Sequence, residues 1–221
     1  MPEQEYIFGA NILENITTGM YQDSKVIYRE YIQNACDQID KAVQSGLLRQ
    51  GEGIIEIWLD HQSRTISIED NATGIPAEDF QRVLGNIADS DKEIGKDKGF
   101  RGIGRLCGLA YCKELVFISK AKGENVISVM RCDAEKMRRL LLESVKGKKL
   151  TASAVLHQIN AFSTQLASNV DGHFFKVELI GINDENTDLL NKDEIRDYLS
   201  FVAPVPYQNT FIFRKSITNF E

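Results

Sequence analysis

The sequence predicts an α/β (α+β) fold: a two-layer sandwich with a mixed, mostly antiparallel sheet and helices on one face. Three observations lead there. Residues 26–41 repeat their apolar side chains with the 3.6-residue period of a helix. Residues 53–59 and 65–69 alternate with period two on either side of a short polar turn, as an antiparallel hairpin does. A second alternating pair, 115–119 and 126–131, turns at Lys122-Gly123-Glu124. Such strands need one face covered, and Trp58, Val116, Ile118 and Phe175 are the candidate core residues of the sheet.

In chain order, Ile12, Leu13, Ile16 and Met20 recur at helical spacing and predict a first helix over 7–21. Gly19 and Asp23-Ser24 break it, and either Asp23 or Ser24 suits the cap of the next helix, which runs to Gly46. On that helix Glu30, Asn34, Asp37 and Lys41 fall on one stripe, with Tyr28, Ile32, Ala35, Ile39 and Val43 opposite. Taken alone, the stripe reads as a solvated face.

The hairpin 53–69 turns at 60–64 and empties into Asp70-Asn-Ala-Thr-Gly-Ile-Pro76, after which Pro76 suits the first turn of a helix to about residue 87. Residues 88–98 are polar and rich in Asp, Ser, Lys and Gly; with 99–101 they predict a mobile lid. Gly99-Phe-Arg-Gly102-Ile-Gly104 leads into a short apolar helix over 106–111. Asp133 starts a helix rich in Lys, Arg and Leu. Strands are predicted over 153–159 and 174–180, a helix over 187–202, and a strand-like run over 210–213.

Composition excludes several classes. A net charge of −6 gives no general attraction to nucleic acid or anionic membranes. No apolar run reaches membrane-spanning length, and the acidic N-terminus carries no secretory signal. Cys36, Cys107, Cys112 and Cys132 form no CxxC pair or zinc spacing, so reduced thiols in a cytoplasmic protein are expected, with Cys36 and Cys107 buried.

Three stretches carry chemistry. Glu30 on a helix is suited to deprotonating a water, and the amide oxygen of Asn34 is a hard ligand suited to Mg²⁺. Asp70 at a strand end can accept a hydrogen bond from an exocyclic amine, and Gly74 lets the backbone pass close to a flat ring. The same residues also suit an ordinary turn. The glycines of 99–104 expose backbone N–H groups before a helix, where phosphate is favoured. No Lys-Ser/Thr follows them, so this is not a P-loop, and no strand feeds them, so it is not a dinucleotide fingerprint.

The order and spacing of Glu30…Asn34-Ala35-Cys36-Asp37, Asp70…Gly74 and Gly99…Gly104 resemble the GHKL ATPases, which include gyrase, the ninety-kilodalton heat-shock chaperones, sensor histidine kinases and MutL. The heat-shock branch is the most similar. It matches residues 21–41, Leu84-Gly-Asn-Ile-Ala-Asp-Ser90 and Leu115-Val-Phe-Ile-Ser-Lys120, and the likeness covers about 7–120. The resemblance implies a GHKL-type ATP-binding fold over 1–205, with 206–221 beginning a linker or further domain.

It further implies that Glu30 is the general base and that Asn34 holds Mg²⁺ and phosphate. Asp37 would line the pocket, and Asp70 with Gly74 and Ile75 would receive adenine. Gly99, Phe100, Arg101, Gly102, Ile103 and Gly104 would wrap the phosphates. For the family's late Gly-Thr before a strand, Ala152-Ser153 or Thr151 is the expected counterpart, supplying a hydroxyl to the adenine site.

Two positions depart from the pattern. Ala72 replaces a glycine, and Asp89 stands where the chaperones often carry lysine; Lys92, Lys96, Lys98 and Arg101 are the cations available nearby. The implied function is Mg-ATP binding with slow hydrolysis that drives conformational change in a chaperone-like multidomain protein. ATP and ADP would be its ligands and a downstream domain its partner. The isolated chain is expected to be monomeric and weakly active, with a homodimer possible for a longer protein.

The rivals are a nucleotide-binding scaffold without turnover, a sensor-kinase catalytic domain and a plain α/β domain. His61, His157 and His173 all lie in or beside turns and strands, none on the upstream helix a phosphoacceptor needs.

Overall fold

The structure is a computed structural model that describes residues 8–19, 23–85, 104–146 and 149–203. A short helix, α1 (Asn11–Glu14), runs on into a π-helical turn, Asn15–Gly19. Helix α2 (Val26–Gln44) follows. No Pro or Gly interrupts α2, and Gly46, at φ +75°, supplies the left-handed residue after its end. Asp23 and Ser24 do not cap it by the expected side-chain bond. Asp23 Oδ1 accepts from Lys25 N, and the Ser24 hydroxyl donates to Asp188.

Strands β1 (Ile55–Asp60) and β2 (Thr65–Asp70) form the predicted hairpin, and α3 (Ala77–Gly85) follows Pro76. A 3₁₀ helix covers Gly104–Ala110. The second hairpin is β3 (Glu114–Lys120) with β4 (Val126–Asp133), turning at Gly123 with φ +86°. Asp133 caps α4 (Ala134–Val145) by accepting from Lys136 N.

Residues 153–159 are not a strand. They lie in helix α5 (Ala152–Ile159), which Thr151 caps by accepting from Ala154 N. Val155 and Ile159, one turn apart, are buried, while Ser153, His157 and Gln158 are exposed. A short apolar run satisfies either period, and here the cap and the packing favour the helix. The strand follows at once as β5 (Asn160–Leu166), whose side chains from Ala161 onward are exposed on both faces and so show no alternation.

Strand β6 (Phe174–Ile180) lies where predicted. The helix expected over 187–202 is divided. A 3₁₀ helix spans Asp184–Leu190, and α6 (Lys192–Val202) restarts where Asn191 accepts from Asp193 N and Glu194 N.

The six strands form one sheet in the order β1-β2-β6-β3-β4-β5. Every described pairing is antiparallel, so the parallel component of a mixed sheet is absent among the described residues. The register aligns Ile68, Val177, Phe117 and Met130 across β2, β6, β3 and β4, and these join the helices in a single core. Helix α2 packs on β2, α3 on β3 and β4, and α5 on β4.

Phe175 belongs to this core, its ring 6.2 Å from Phe117. Trp58 does not. It points to the other face, 45% exposed, with Lys176 Nζ 5.6 Å from its ring centre. Val116 and Ile118 also alternate onto that outer face, where Val116 is buried between Glu178 and Arg131 in register.

Candidate nucleotide site

The site begins on α2. Tyr28, Tyr31, Ile32, Ala35 and Cys36 are buried, and the Tyr28 hydroxyl donates to the Leu189 carbonyl. Glu30 and Asn34 are half-buried one turn apart, while Lys41 is exposed. Asp37 departs from a solvated stripe: it is 3% exposed. Arg29 Nη2 lies 2.9 Å from Glu30 Oε1.

The 3₁₀ helix that follows the glycine loop is tied to the same face. The Tyr31 hydroxyl donates to Arg105 O at 3.0 Å and accepts from Gly108 N at 3.1 Å. Burial pushes the Tyr31 phenol up, so it stays protonated and able to donate. A β-carbon at Gly104 would strike Glu30 Oε2, so a side chain there would have to push the carboxylate aside. Glu30 and the end of the glycine segment are thus in contact across 74 residues of sequence. Gly99, Phe100, Arg101, Gly102 and Ile103 lie outside the described residues, as does the whole of the expected lid, 88–101.

Asp70 ends β2 on the core side, 4% exposed. Its Oδ1 accepts from Ala72 N at 3.0 Å, and burial pushes its carboxyl up to about 7, against the lowering effect of that bond. The loop beyond is pinned repeatedly. Ile75 N donates to Ser119 Oγ at 2.6 Å, and the Ser119 hydroxyl lies 3.3 Å from Ile75 O. Asn71 bridges to the start of β1, with Oδ1 accepting from Ile54 N at 2.8 Å and Nδ2 donating to Glu52 O at 2.9 Å. Gly74 has φ +64°, and a β-carbon there would collide with Lys120 O. Only glycine fits that approach.

Ser153 is not brought to this end of the site. It is exposed in the first turn of α5, a helix that packs on β4, and the strand beside β2 is β6. The residue that enters β6 is His173, whose Nδ1 lies 2.7 Å from Ala72 O. Sequence reasoning missed His173, Ser119 and Lys120. For His173 a signal existed: Gly172-His173 directly precedes an alternating run, while the hydroxyl was sought before a segment that proved helical. For Ser119 and Lys120 the partners are backbone atoms of another segment, which no local pattern shows.

Among the described residues no cluster of three or more His, Cys, Asp or Glu side chains is arranged to hold a metal. The donor chemistry at Asn34, an amide oxygen one turn from Glu30, fits a Mg²⁺ ion that takes most of its ligands from water and phosphate. All four cysteines are free and buried, and no described helix is long and apolar enough to cross a membrane.

An open antiparallel sheet with its helices on one face and a buried carboxyl at a strand end matches the layout of the GHKL class. The chain belongs to the histidine kinase-, DNA gyrase B- and HSP90-like ATPase family, whose profile matches residues 22–165. The matched span includes Glu30, Asn34, Asp37, Asp70, Gly74 and Gly104, so these residues lie inside the domain of that family.

It is similar to "Chaperone protein HtpG" of Orientia tsutsugamushi (strain Boryong), at 30% identity over 145 residues, or 56% of this chain and 23% of that protein. The protein of the same name from Psychrobacter arcticus is 25% identical over 172 residues, 70% of this chain and 26% of that protein. That from Rhodospirillum rubrum is 34% identical over 99 residues, 41% of this chain and 16% of that protein. The chain therefore spans about a quarter or less of the length of the curated relatives it matches.

Proposed function

We propose that this chain binds Mg-ATP between α2, the loop after β2 and the glycine segment, and hydrolyses it slowly. Adenine docks against Asp70 and Ile75, with Gly74 beneath the base and Asp37 lining the pocket. The glycines at 99, 102 and 104, with Phe100, Arg101 and Ile103, surround the phosphates. Asn34 would hold Mg²⁺, which when bound neutralises phosphate charge. Glu30 takes the proton from the attacking water.

The observation that carries this reading is the contact between Glu30 and Gly104. It sets a helix-borne carboxylate against the last residue of the glycine segment, where a water attacking a terminal phosphate would need its base. A general base contributes about 10²–10⁴-fold. The reading also includes a domain over 1–205, continuing at 206–221 toward further chain, in a cytoplasmic chaperone-like protein whose nucleotide cycle drives shape change. The similarity to much longer HtpG proteins and the four free cysteines support it. A partner domain and a dimer belong to that longer protein.

One observation favours a second reading, a nucleotide-binding scaffold without turnover: Arg29 already occupies one oxygen of Glu30. Calorimetry with Asp70→Asn tests the nucleotide site itself. Loss of a buried hydrogen-bond partner costs roughly 1–3 kcal/mol, so affinity for ATP falls about ten- to hundredfold. Unchanged affinity would refute the assignment.

A further inference from the structure

Besides the Asn71 and Ser119 contacts, the loop after Asp70 is held from both sides at Ala72. Ala72 is fully buried; its N–H binds Asp70 Oδ1 at 3.0 Å, and its carbonyl lies 2.7 Å from His173 Nδ1. A carbonyl only accepts, so Nδ1 of His173 carries the proton. His173 enters β6 two residues before Phe175, and Phe175 is the register partner of Asp70. The carboxyl at the end of β2 and the imidazole just before the neighbouring β6 are therefore linked through one residue, Ala72.

The segment that leads into His173 is itself held. Lys120, only 3% exposed, donates through Nζ to the carbonyls of Val170 and Gly172, and Gly123 N donates to Val170 O at 2.9 Å. Asn169 Oδ1 accepts from Asp171 N at 2.9 Å. The turn that delivers His173 is thus fixed by β3 and its hairpin. Burying a lysine among carbonyls is costly, and such a clamp maintains one geometry of the loop before β6.

We propose that His173 is a positioning residue for recognition of the nucleotide base, acting through Ala72 on the Asp70 carboxyl. The inference rests on the reading of Asp70 as the base-binding group. A recognition carboxyl discriminates only while its orientation is held within a fraction of an ångström. His173 supplies the half of that restraint that Asp70 cannot make for itself.

The test uses His173→Ala, His173→Asn and His173→Gln in the intact chain, after melting curves confirm folding. Asparagine places an amide N–H near the position of Nδ1; glutamine does not. Binding of ATP and GTP is measured for each, together with KM and kcat for ATP. In the nucleotide-free chain, hydrogen exchange is followed at the amides of Ala72 and Ile75.

His173→Ala and His173→Gln should weaken ATP binding about tenfold, with the loss in KM and with a smaller preference for ATP over GTP. His173→Asn should restore both. Exchange at Ala72 and Ile75 should rise in the alanine variant and return toward the parent in the asparagine variant. Unchanged exchange in His173→Ala would overturn the proposal whatever the nucleotide data show. So would equal impairment of the alanine and asparagine variants, or raised exchange with nucleotide preference intact. A parent chain that binds neither ATP nor GTP would instead refute the nucleotide site, and exchange would still judge the His173–Ala72 restraint.

Discussion

Gly104 lies so close to Glu30 that any side chain at 104 would displace the carboxylate. Gly104→Ala should therefore misplace the general base. A displacement of about 1 Å can cost on the order of a hundredfold in rate, so phosphate release should fall by tenfold or more while ATP affinity changes only a few-fold. Gly85, at the end of α3, has nothing within 4 Å of a β-carbon among the described residues, and Gly85→Ala should leave both quantities unchanged. Equal behaviour of the two variants would show that the contact does not matter to turnover.

Gly74 and Gly123 separate backbone strain from collision. Both have positive φ, +64° and +86°, but only Gly74 faces another chain segment, the carbonyl of Lys120. Gly123→Ala should lose about 1–2 kcal/mol, the cost of a left-handed conformation. Gly74→Ala should lose that and at least as much again, because backbone must move. Urea unfolding of the two variants measures the difference.

Asp70 makes stability depend on pH. Its carboxyl titrates at about 7 when folded and at 3.8 when unperturbed, so the folded chain binds the proton more tightly. Below pH 3.8 both states hold the proton and no cost arises. Between pH 3.8 and about 7 the unfolded chain ionises first, and stability falls as pH rises; above 7 the full cost remains, on the order of 4 kcal/mol. Asp70→Asn should thus be more stable than the parent at pH 8, with the advantage shrinking toward pH 4, even as it loses nucleotide affinity. Denaturant midpoints across pH check both the sign and the window.

Tyr31→Phe removes one hydroxyl that serves both Arg105 O and Gly108 N. The two backbone groups lose a buried partner, and the variant should be destabilised by about 1–3 kcal/mol. Faster hydrogen exchange at Gly108, with exchange at Ala72 unaffected, would assign the loss to the segment that follows the glycine loop.

The sequence was most legible where one period ran long or a turn residue was compulsory. Helix α2, both hairpins, the cap at Asp133 and the strand over 174–180 follow from patterns that no tertiary contact reverses. It was least legible where a segment is short or a partner is remote. Residues 153–159 satisfy two periods, and the Thr151 cap decided for a helix. Trp58 reads as core by composition, but an edge strand leaves one face to solvent, and register assigned it there. The break at Asn191 turns on a cap that a run of leucines conceals. Glu30, Asn34, Asp37, Asp70 and Gly74, the described residues on which the proposed site is built, came from motif order alone. The supports at Tyr31, Ser119, Lys120 and His173 bind backbone atoms far away in sequence; spacing carries no trace of the first three, and His173 is marked only by Gly172-His173 before an alternating run.

The most direct test of the account compares parent and Glu30→Ala for Mg-ATP affinity by calorimetry and for phosphate release under the same conditions. The account predicts measurable binding and slow turnover in the parent, with affinity in Glu30→Ala within a few-fold of the parent and hydrolysis reduced about a hundredfold or more. A variant that hydrolyses ATP at the parental rate would contradict the assignment of Glu30 as the base, and a parent that binds no ATP would contradict the site as a whole.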